Sequence, residues 1–337
     1  MKISHPYFFN EIGKRDNQED LIYPVHPTIN DNLFMVCDGM GGHEYGEVAS
    51  KVICESIATF LKTVKKENFS VDMFRRALAF AYDELDEQNA SYEQKGLMGT
   101  TLTFLYLTDD KAYIAHIGDS RVYHIRTSEG QSYIVNKTSD HSLVNELLRD
   151  GIITEDEAAA HPRKNIITRA IQPAPAKRCE ADISIAEDIM AGDYFFLCSD
   201  GVLESVSDDY LVEILSENLT DSEKMNKIKN CCKDSSRDNN SAYLIHIEEI
   251  TCVKKVTVDL PDDEINTTNN GISIQSGQNF HESRRVMSNK NKKKKRGRLW
   301  MCILSMAILV IGIFILYKLG YISAIIEYVS DKVKLFK

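Results

Sequence analysis

The sequence lacks the cysteine spacing of a zinc site, since none of its eight cysteines forms a C-x-x-C pair. Residues 1–13 also lack the long apolar run of a secretory signal. No internal repeat is visible along the chain. These absences predict reduced thiols in a cytosolic compartment, and they argue against a structural zinc domain.

Positive charge is scarce over most of the chain. Residues 1–283 contain 27 Lys and Arg against 48 Asp and Glu, whereas the remaining 54 residues contain 13 basic and two acidic side chains. Nucleic-acid binding depends on clustered Lys and Arg. The large acidic part is therefore a poor partner for nucleic acid, and we predict none.

A membrane segment is predicted near the C-terminus. Residues 299–319 are apolar apart from a few small or polar side chains, and Lys318 is their only charge. A helix of that length rises about 30 Å, which matches the hydrocarbon core of a bilayer. Seven basic residues between positions 290 and 298 should stay on the cytoplasmic side. The alternative for this basic run, a nuclear-targeting or nucleic-acid patch, is less favoured because the apolar span follows at once.

The chain is accordingly divided into four parts. We expect a catalytic domain at 1–250, a flexible linker ending in a basic juxtamembrane run at 251–298, a transmembrane helix at 299–319, and a short amphipathic tail at 320–337. The tail either lies on the far membrane surface or extends the helix. This order predicts a single-pass protein of the cell membrane with a cytoplasmic catalytic domain.

Hydrophobic periodicity predicts an α+β domain built on antiparallel sheet. Helical faces are indicated at 48–64 and 73–85, between stretches that alternate or run apolar as strands do. The predicted strands are 33–37, 101–107, 112–117, 121–125, 194–198 and 242–247. Because two helices fall together between strands that pair as neighbours, alternating βαβ units are not expected.

Carboxylates recur beside glycine at the ends of these strands, at Asp38, Asp119 and Asp200. Glycine there permits a sharp turn and a close approach of backbone to an ion. A single Asp-Gly pair is more often an ordinary turn. Several carboxylates in one place oppose each other's ionisation unless a cation is bound, and ligands that are all oxygen favour Mg²⁺ or Mn²⁺.

The carboxylates belong to eight short blocks that occur in a fixed order. They are Arg15-x-x-x-Glu19-Asp20, Asp38-Gly39-Met40-Gly41-Gly42-His43 with 46–50, Gly99-Thr100-Thr101, Gly118-Asp119-Ser120-Arg121, Asp140-His141-Ser142, 165–170, Ser199-Asp200-Gly201 and Asp238-Asn239. With these blocks, residues 8–249 resemble the metal-dependent protein phosphatases (the PPM family, type 2C) in their compact bacterial form.

This resemblance implies a fold and an activity. The fold would be a central sandwich of two antiparallel β-sheets flanked by α-helices. The activity would be hydrolysis of phosphoserine and phosphothreonine on proteins by water that two Mg²⁺ or Mn²⁺ ions activate, with room for a third ion. The partners would be phosphorylated proteins, including a eukaryotic-like Ser/Thr kinase and its substrates.

The resemblance also implies roles for individual residues. Arg15 would bind the substrate phosphate, and Asp38 would bridge two metals as the central catalytic carboxylate. The implied metal ligands, direct or through water, are Glu19, Asp20, Asp38, Gly39, Asp119, Asp200 and Asp238.

Two features are left open by the resemblance. Met40 stands where some relatives place a histidine that serves as general acid, so no general acid is assigned. Residues 140–172 resemble a mobile flap and are expected to border the cleft, although an inert surface helix is the alternative. A membrane-anchored phosphoprotein-binding scaffold without turnover, and a phosphatase for small phosphoesters, are the competing hypotheses for the whole chain.

Overall fold

The described chain folds as two antiparallel sheets that pack face to face, with helices on both outer faces. A computed structural model describes residues 1–41, 45–92 and 98–250. These residues belong to one compact unit, Met1–Thr257. The predicted α+β class and the two-sheet sandwich are confirmed.

Each sheet has six strands, and every strand pair is antiparallel. The first sheet contains β1 (Lys2–Ile3), β2 (Tyr7–Glu11), β8 (Arg121–Ser128), β9 (Gln131–Lys137), β11 (Asp193–Cys198) and β12 (Asn240–Glu249). The second contains β3 (Asp20–Tyr23), β4 (Leu33–Met40), β5 (Gly99–Thr100), β6 (Leu102–Leu107), β7 (Ala112–Ile117) and β10 (Asp182–Ala186). The strand orders are β1-β12-β11-β8-β9, with β2 on β12, and β10-β7-β6-β4-β3, with β5 on β4.

Seven α-helices are described, and the two predicted ones are the longest of them. They are α1 (Tyr45–Leu61), α2 (Val71–Ala90), α3 (Leu143–Arg149), α4 (Glu155–Ala159), α5 (Asp200–Leu203), α6 (Asp208–Ser216) and α7 (Asp221–Ser235). Ser70 caps α2, since its side chain accepts from the Met73 N–H. Lys66–Asn68 forms a 3-10 turn between α1 and α2.

Three apolar clusters join the layers of the fold. Between the sheets, Phe34 of β4 and Phe195 of β11 are fully buried. On one outer face, Ile53 of α1 packs with Phe104 of β6 in a second cluster. On the other, Ile214 of α6 belongs to a third cluster with residues of β8, β11 and β12. Burying each such side chain contributes about 1.5–3 kcal/mol, so these clusters fix the strand ends that carry the acidic residues.

The C-terminal predictions fall outside this part of the chain. The linker 251–298, the transmembrane helix 299–319 and the tail 320–337 all lie beyond the described residues. Among the described helices, none combines the length and the apolar character needed to cross a bilayer.

Candidate active site

The predicted site residues meet at two adjoining cavities. The first, of about 420 Å³, is lined by Arg15, Glu19, Asp38, Gly39, Asp200 and Asp238. The second, of about 510 Å³, is lined by Asp119 and also by Asp200, which therefore belongs to both. Asp20 pairs in register with Asp38 across β3 and β4. The fold thus gathers all eight predicted residues, although some are more than 200 positions apart in sequence.

Asp38 is held by two threonines at the end of β4. The Asp38 N–H donates to Thr101 Oγ1 at 3.0 Å, and the Asp38 carbonyl oxygen accepts from the Thr101 N–H at 2.9 Å. The same carbonyl accepts from Thr100 Oγ1 at 3.0 Å. Asp20 lies opposite on β3, and opposite residues of an antiparallel pair project to the same face of the sheet. The two carboxylates are therefore neighbours by strand register.

Of the glycines beside the carboxylates, one forms a sharp turn and two allow another backbone segment to pack closely. The predicted sharp turn is found at Gly118, whose φ is +104°, but Gly39 lies within β4 and Gly201 within α5. A Cβ on Gly39 would lie 2.2 Å from the Gly46 carbonyl oxygen, and one on Gly201 would lie 2.0 Å from that of Asn239. Glycine at both positions therefore allows two backbone segments to pack closely, and the predicted approach of backbone to an ion stays a prediction.

Three buried carboxylate oxygens have no hydrogen-bond partner among the described residues. They are Oδ1 of Asp20, Oδ1 of Asp119 and Oδ1 of Asp200. The other oxygen of Asp20 accepts from Ser199 Oγ at 2.7 Å. Burying a polar atom without a partner costs folding free energy, so such atoms usually indicate a ligand or ion. Cations bound directly or through water would satisfy all three oxygens.

Burial raises the pKa values of these acids. It raises the pKa of Asp38 well above its usual range, and the negative charges of Asp20 and Asp200 add to this effect. Burial raises the pKa of Asp20 to about 7 against the opposing hydrogen bond from Ser199. Burial, with the charge of Asp200, also raises the pKa of Asp119 to about 7. Bound cations would stabilise the ionised forms of all these groups.

Without cations, the raised pKa values of Asp20 and Asp119 should lower stability as the pH rises. Carboxyl groups have a pKa near 3.9 in an unfolded chain. Between about pH 4 and 7, the folded chain therefore retains protons that the unfolded chain has released, and the free energy of unfolding falls with increasing pH. We expect a lower melting temperature at pH 7.5 than at pH 5.5 in EDTA, and recovery at pH 7.5 on adding Mn²⁺.

Thermal unfolding of Asp119→Asn provides the matched control. This variant lacks the carboxyl proton that Asp119 would release, so its melting temperature should fall less between pH 5.5 and 7.5. Burial lowers the pKa of His141, which acts in the opposite sense by favouring the neutral ring at higher pH. An equal fall in the variant and the wild type would contradict the role given to Asp119.

The donor set fits Mg²⁺ or Mn²⁺. Among the described residues that line the first cavity, the candidate ligands are carboxylates and the backbone at Gly39, and none is a histidine or cysteine. Hard oxygen donors suit these cations, whereas zinc sites normally include nitrogen or sulfur. The unpartnered oxygens and the raised pKa values of Asp20 and Asp119 both follow from burying these carboxylates together, and bound cations would stabilise that arrangement.

Arg15 reaches into the acidic cluster from the loop before β3. One guanidinium nitrogen lies 2.6 Å from Asp238 Oδ2. Its side chain is 59% exposed, whereas that of Asp238 is 30% exposed. A guanidinium carries five N–H donors in a planar fork. Arg15 is therefore placed to contact both the cluster and an anionic group entering from solvent.

Two residues of the predicted blocks have structural roles that their spacing did not indicate. Asn239 Oδ1 accepts from the Glu19 N–H at 2.8 Å, and Asn239 Nδ2 donates to the carbonyl oxygens of Ile12 and Asn17 at 2.8 and 2.9 Å. Ser199 bonds Asp20 and also accepts from the Ser241 N–H at 3.1 Å. Their only sequence signal was their position beside Asp238 and Asp200.

A second group of ligand-type side chains lies at His116, His141 and Asp182, whose atoms fall within 4.8 Å of one another. The Gly118 N–H donates to His141 Nδ1 at 3.1 Å, which leaves the proton of a neutral ring on Nε2. That Nε2 lies 3.1 Å from Asp182 Oδ2, and Arg169 lies 2.8 Å from Asp182 Oδ1. A cation here would oppose both the Nε2 proton and the Arg169 charge. We assign this group to hydrogen bonding.

The segment predicted as a flap borders the second cavity, as expected. Ser142, Val144 and Asn145 line it together with Asp119 and Asp200. The two ends of the segment are joined by a hydrogen bond, in which the Thr168 N–H donates to the His141 carbonyl oxygen at 2.8 Å. Its predicted influence on substrate choice and on a third ion remains a prediction.

Comparison with known proteins agrees with this geometry. The family model described as Protein phosphatase 2C matches residues 14–230. Protein phosphatase PhpP of Streptococcus pneumoniae is 32% identical over 242 residues, covering 70% of this chain and 94% of that protein. The crystal structure of the Mycobacterium tuberculosis serine/threonine phosphatase PstP/Ppp has a TM-score of 0.64 at 27% identity, covering 74% of this chain and 100% of that one.

A further solved structure contains metal. The catalytic domain of the serine/threonine protein phosphatase PstP in complex with two manganese ions has a TM-score of 0.62 at 26% identity. The match covers 74% of this chain and 100% of that one. The region of the family model, 14–230, includes every predicted site residue except Asp238.

Proposed function

The chain belongs to the protein phosphatase 2C family, and we propose that its active site hydrolyses phosphoserine and phosphothreonine esters in proteins with two bound Mg²⁺ or Mn²⁺ ions. It is a metal-dependent protein serine/threonine phosphatase. The observation that carries the mechanism is the convergence of Arg15, Asp38, Asp119 and Asp200 on two cavities that share Asp200. Asp119 and Asp200 each have a buried oxygen without a partner among the described residues.

We assign the cations to the carboxylates of the two cavities. Asp38 would be shared between two ions, with Asp200 and Asp238 on one of them and the Gly39 carbonyl on the other. Glu19 and Asp20 would act through water, and Asp119 with Asp200 would hold a third ion. When bound, such ions supply the Lewis acidity that lowers the pKa of water towards neutrality.

The residues lining the first cavity can orient the phosphate, and their side chains limit the reaction mechanisms that are possible there. Arg15 can hold two non-bridging phosphate oxygens through its planar fork. None of the described residues lining the first cavity is a serine, cysteine or histidine, so in-line displacement by water fits this site better than a covalent intermediate on such a side chain. Met40 lines the cavity beside Gly39 and cannot donate a proton to the leaving oxygen, so the general acid is left unassigned.

Arg15→Ala should reduce kcat/KM for a phosphothreonine peptide by about 10- to 150-fold at saturating Mn²⁺, since a charge-assisted hydrogen bond contributes about 1.5–3 kcal/mol. Arg15→Lys should recover only part of the loss, because an ammonium group cannot form the bidentate contact. Steady-state kinetics measures both variants, with the exposed Arg75→Ala as the control. Full activity of Arg15→Lys would show that a point charge suffices.

Substrate class is tested by direct hydrolysis. The chain should release phosphate from phosphoserine and phosphothreonine peptides with Mn²⁺, and EDTA should stop the release. Turnover of small aryl phosphates without turnover of phosphopeptides would favour the small-phosphoester alternative. Binding of phosphopeptides with no turnover under any divalent cation would favour the scaffold.

We also propose that residues 299–319 tether the enzyme to the cell membrane with its catalytic domain in the cytoplasm. The length of the apolar run and the basic residues at 290–298 support this proposal. Tethering raises the effective concentration of the enzyme towards substrates at the membrane. We therefore expect phosphorylated proteins there to be substrates, among them a eukaryotic-like Ser/Thr kinase and its targets.

Cell fractionation and protease protection test the tether. The full chain should sediment with membranes, and truncation after residue 298 should release it. Protease added outside intact cells should leave residues 1–250 uncut. Digestion of that region would reverse the orientation, and a soluble full chain would exclude the tether.

A further inference from the structure

The ion pair between Arg15 and Asp238 joins the predicted phosphate-binding residue to a predicted metal ligand. The guanidinium lies 2.6 Å from Asp238 Oδ2, and Asp238 Oδ1 accepts from the Asn239 N–H at 2.8 Å. Both oxygens of Asp238 are thus in contact with donors. In this respect Asp238 differs from Asp119 and Asp200, whose Oδ1 atoms have no partner among the described residues.

We propose that Arg15 competes with a divalent cation for Asp238 and so weakens metal binding until a substrate phosphate draws the guanidinium away. This inference rests on the proposed function. A cation that takes up Asp238 Oδ2 must share an oxygen already in contact with a positive group, and like charges at contact distance repel. Arg15 also interacts electrostatically with Glu19 and Asp200, so its charge acts on the whole cluster.

The geometry allows Arg15 to leave Asp238 at little structural cost. Its side chain is 59% exposed, and exposed ion pairs contribute little to stability. An incoming phosphate offers the guanidinium two or more anionic oxygens in place of one carboxylate oxygen. Arg15 would then neutralise the phosphate, while Asp238 is freed to ligate a cation.

Thermodynamic linkage makes this coupling reciprocal. If phosphate binding removes the competitor of the metal, phosphate tightens metal binding by the same factor by which metal tightens phosphate binding. Loss of Arg15 removes both the competitor of the metal and a ligand of the phosphate. The two affinities should therefore change in opposite directions, with Mn²⁺ binding tighter and phosphate binding weaker. A residue that merely supported the fold of the site would weaken both.

Isothermal titration calorimetry of the full chain with MnCl₂, first without phosphate, tests the competition. For Arg15→Ala the dissociation constant for Mn²⁺ is expected to fall about threefold or more relative to the wild type. Arg178→Ala is the matched control. It removes another exposed arginine of a carboxylate ion pair, 43% exposed and 2.7 Å from Asp83 and Asp86, and among the described residues it lines neither cavity of the site. Its Mn²⁺ affinity should stay within twofold of the wild type.

A second titration, with saturating inorganic phosphate, completes the test. Phosphate should tighten Mn²⁺ binding more in the wild type than in Arg15→Ala, because only the wild type has a competitor to remove. An unchanged or weaker Mn²⁺ affinity in Arg15→Ala would overturn the inference, as would an equal gain in Arg178→Ala. Absence of Mn²⁺ binding to the wild type would instead overturn the proposed function itself.

Discussion

Asp38→Asn is expected to lower turnover of a phosphothreonine peptide by more than about 100-fold. Replacing groups that merely orient a metal ligand costs roughly 10- to 100-fold, and Asp38 is assigned to the ions themselves. Burial is the largest cause of its raised pKa, and the negative charges of Asp20, Asp200 and Asp119 raise it further. An amide keeps the shape of the carboxylate but loses the negative charge that a shared ligand must supply. Initial rates at several Mn²⁺ concentrations measure the effect.

Stability separates this loss of chemistry from misfolding. Asp38→Asn removes a carboxyl group whose ionisation is opposed by burial and by neighbouring charges, so the variant should be at least as stable as the wild type in EDTA. Mn²⁺ should then raise the melting temperature of the wild type much more than that of the variant, since ligands stabilise the state that binds them. A variant that retained a tenth of the wild-type activity would contradict the central role of Asp38.

Gly39→Ala is expected to lower the free energy of unfolding by about 3 kcal/mol or more. The added Cβ would lie 2.2 Å from the carbonyl oxygen of Gly46 and 2.6 Å from that of Glu19. Both contacts are with backbone, so α1 or the loop before β3 must move, and overpacking of this kind typically costs 1–3 kcal/mol or more. Urea denaturation in EDTA measures the loss without a contribution from metal binding.

Gly130→Ala is the matched control for this substitution. No atom lies within 4 Å of the position that its Cβ would take, and its φ is +77°. The same chemical change should therefore cost only about 1–2 kcal/mol, the penalty of a left-handed backbone for an L-residue. If Gly39→Ala were no more destabilising than Gly130→Ala, the close approach of Gly46 and Glu19 to Gly39 would not hold in solution.

The helices and strands that the sequence predicted are those whose buried side chains recur at regular spacing or fill the whole element. Helices α1 and α2 repeat apolar residues every three or four positions, and β6 is buried along its whole length. Strand β9 was not predicted, because only Ser132 among its residues is buried and the strand lies at a sheet edge. Helix α7 is largely polar, yet its capping box at Thr220 and Glu223 was a readable signal.

The site was predictable as a set of residues, but its internal contacts were not. The ordered blocks identified the carboxylates that the fold gathers, and their roles as ligands remain predictions. The contact of Arg15 with Asp238 spans 223 positions and depends on how a loop crosses the end of β12. No local pattern encodes such a distance. For the same reason, the bonds of Asn239 to the loop before β3 appeared only in the structure.

X-ray diffraction at the manganese absorption edge, from crystals grown with MnCl₂, tests the central claim most directly. We expect at least two anomalous peaks within coordination distance of the carboxylates, with Asp38 contacting both. Diffraction that showed no peak at Asp38, or a peak only at His116, His141 and Asp182, would contradict the assignment of this cluster as the metal centre of the phosphatase.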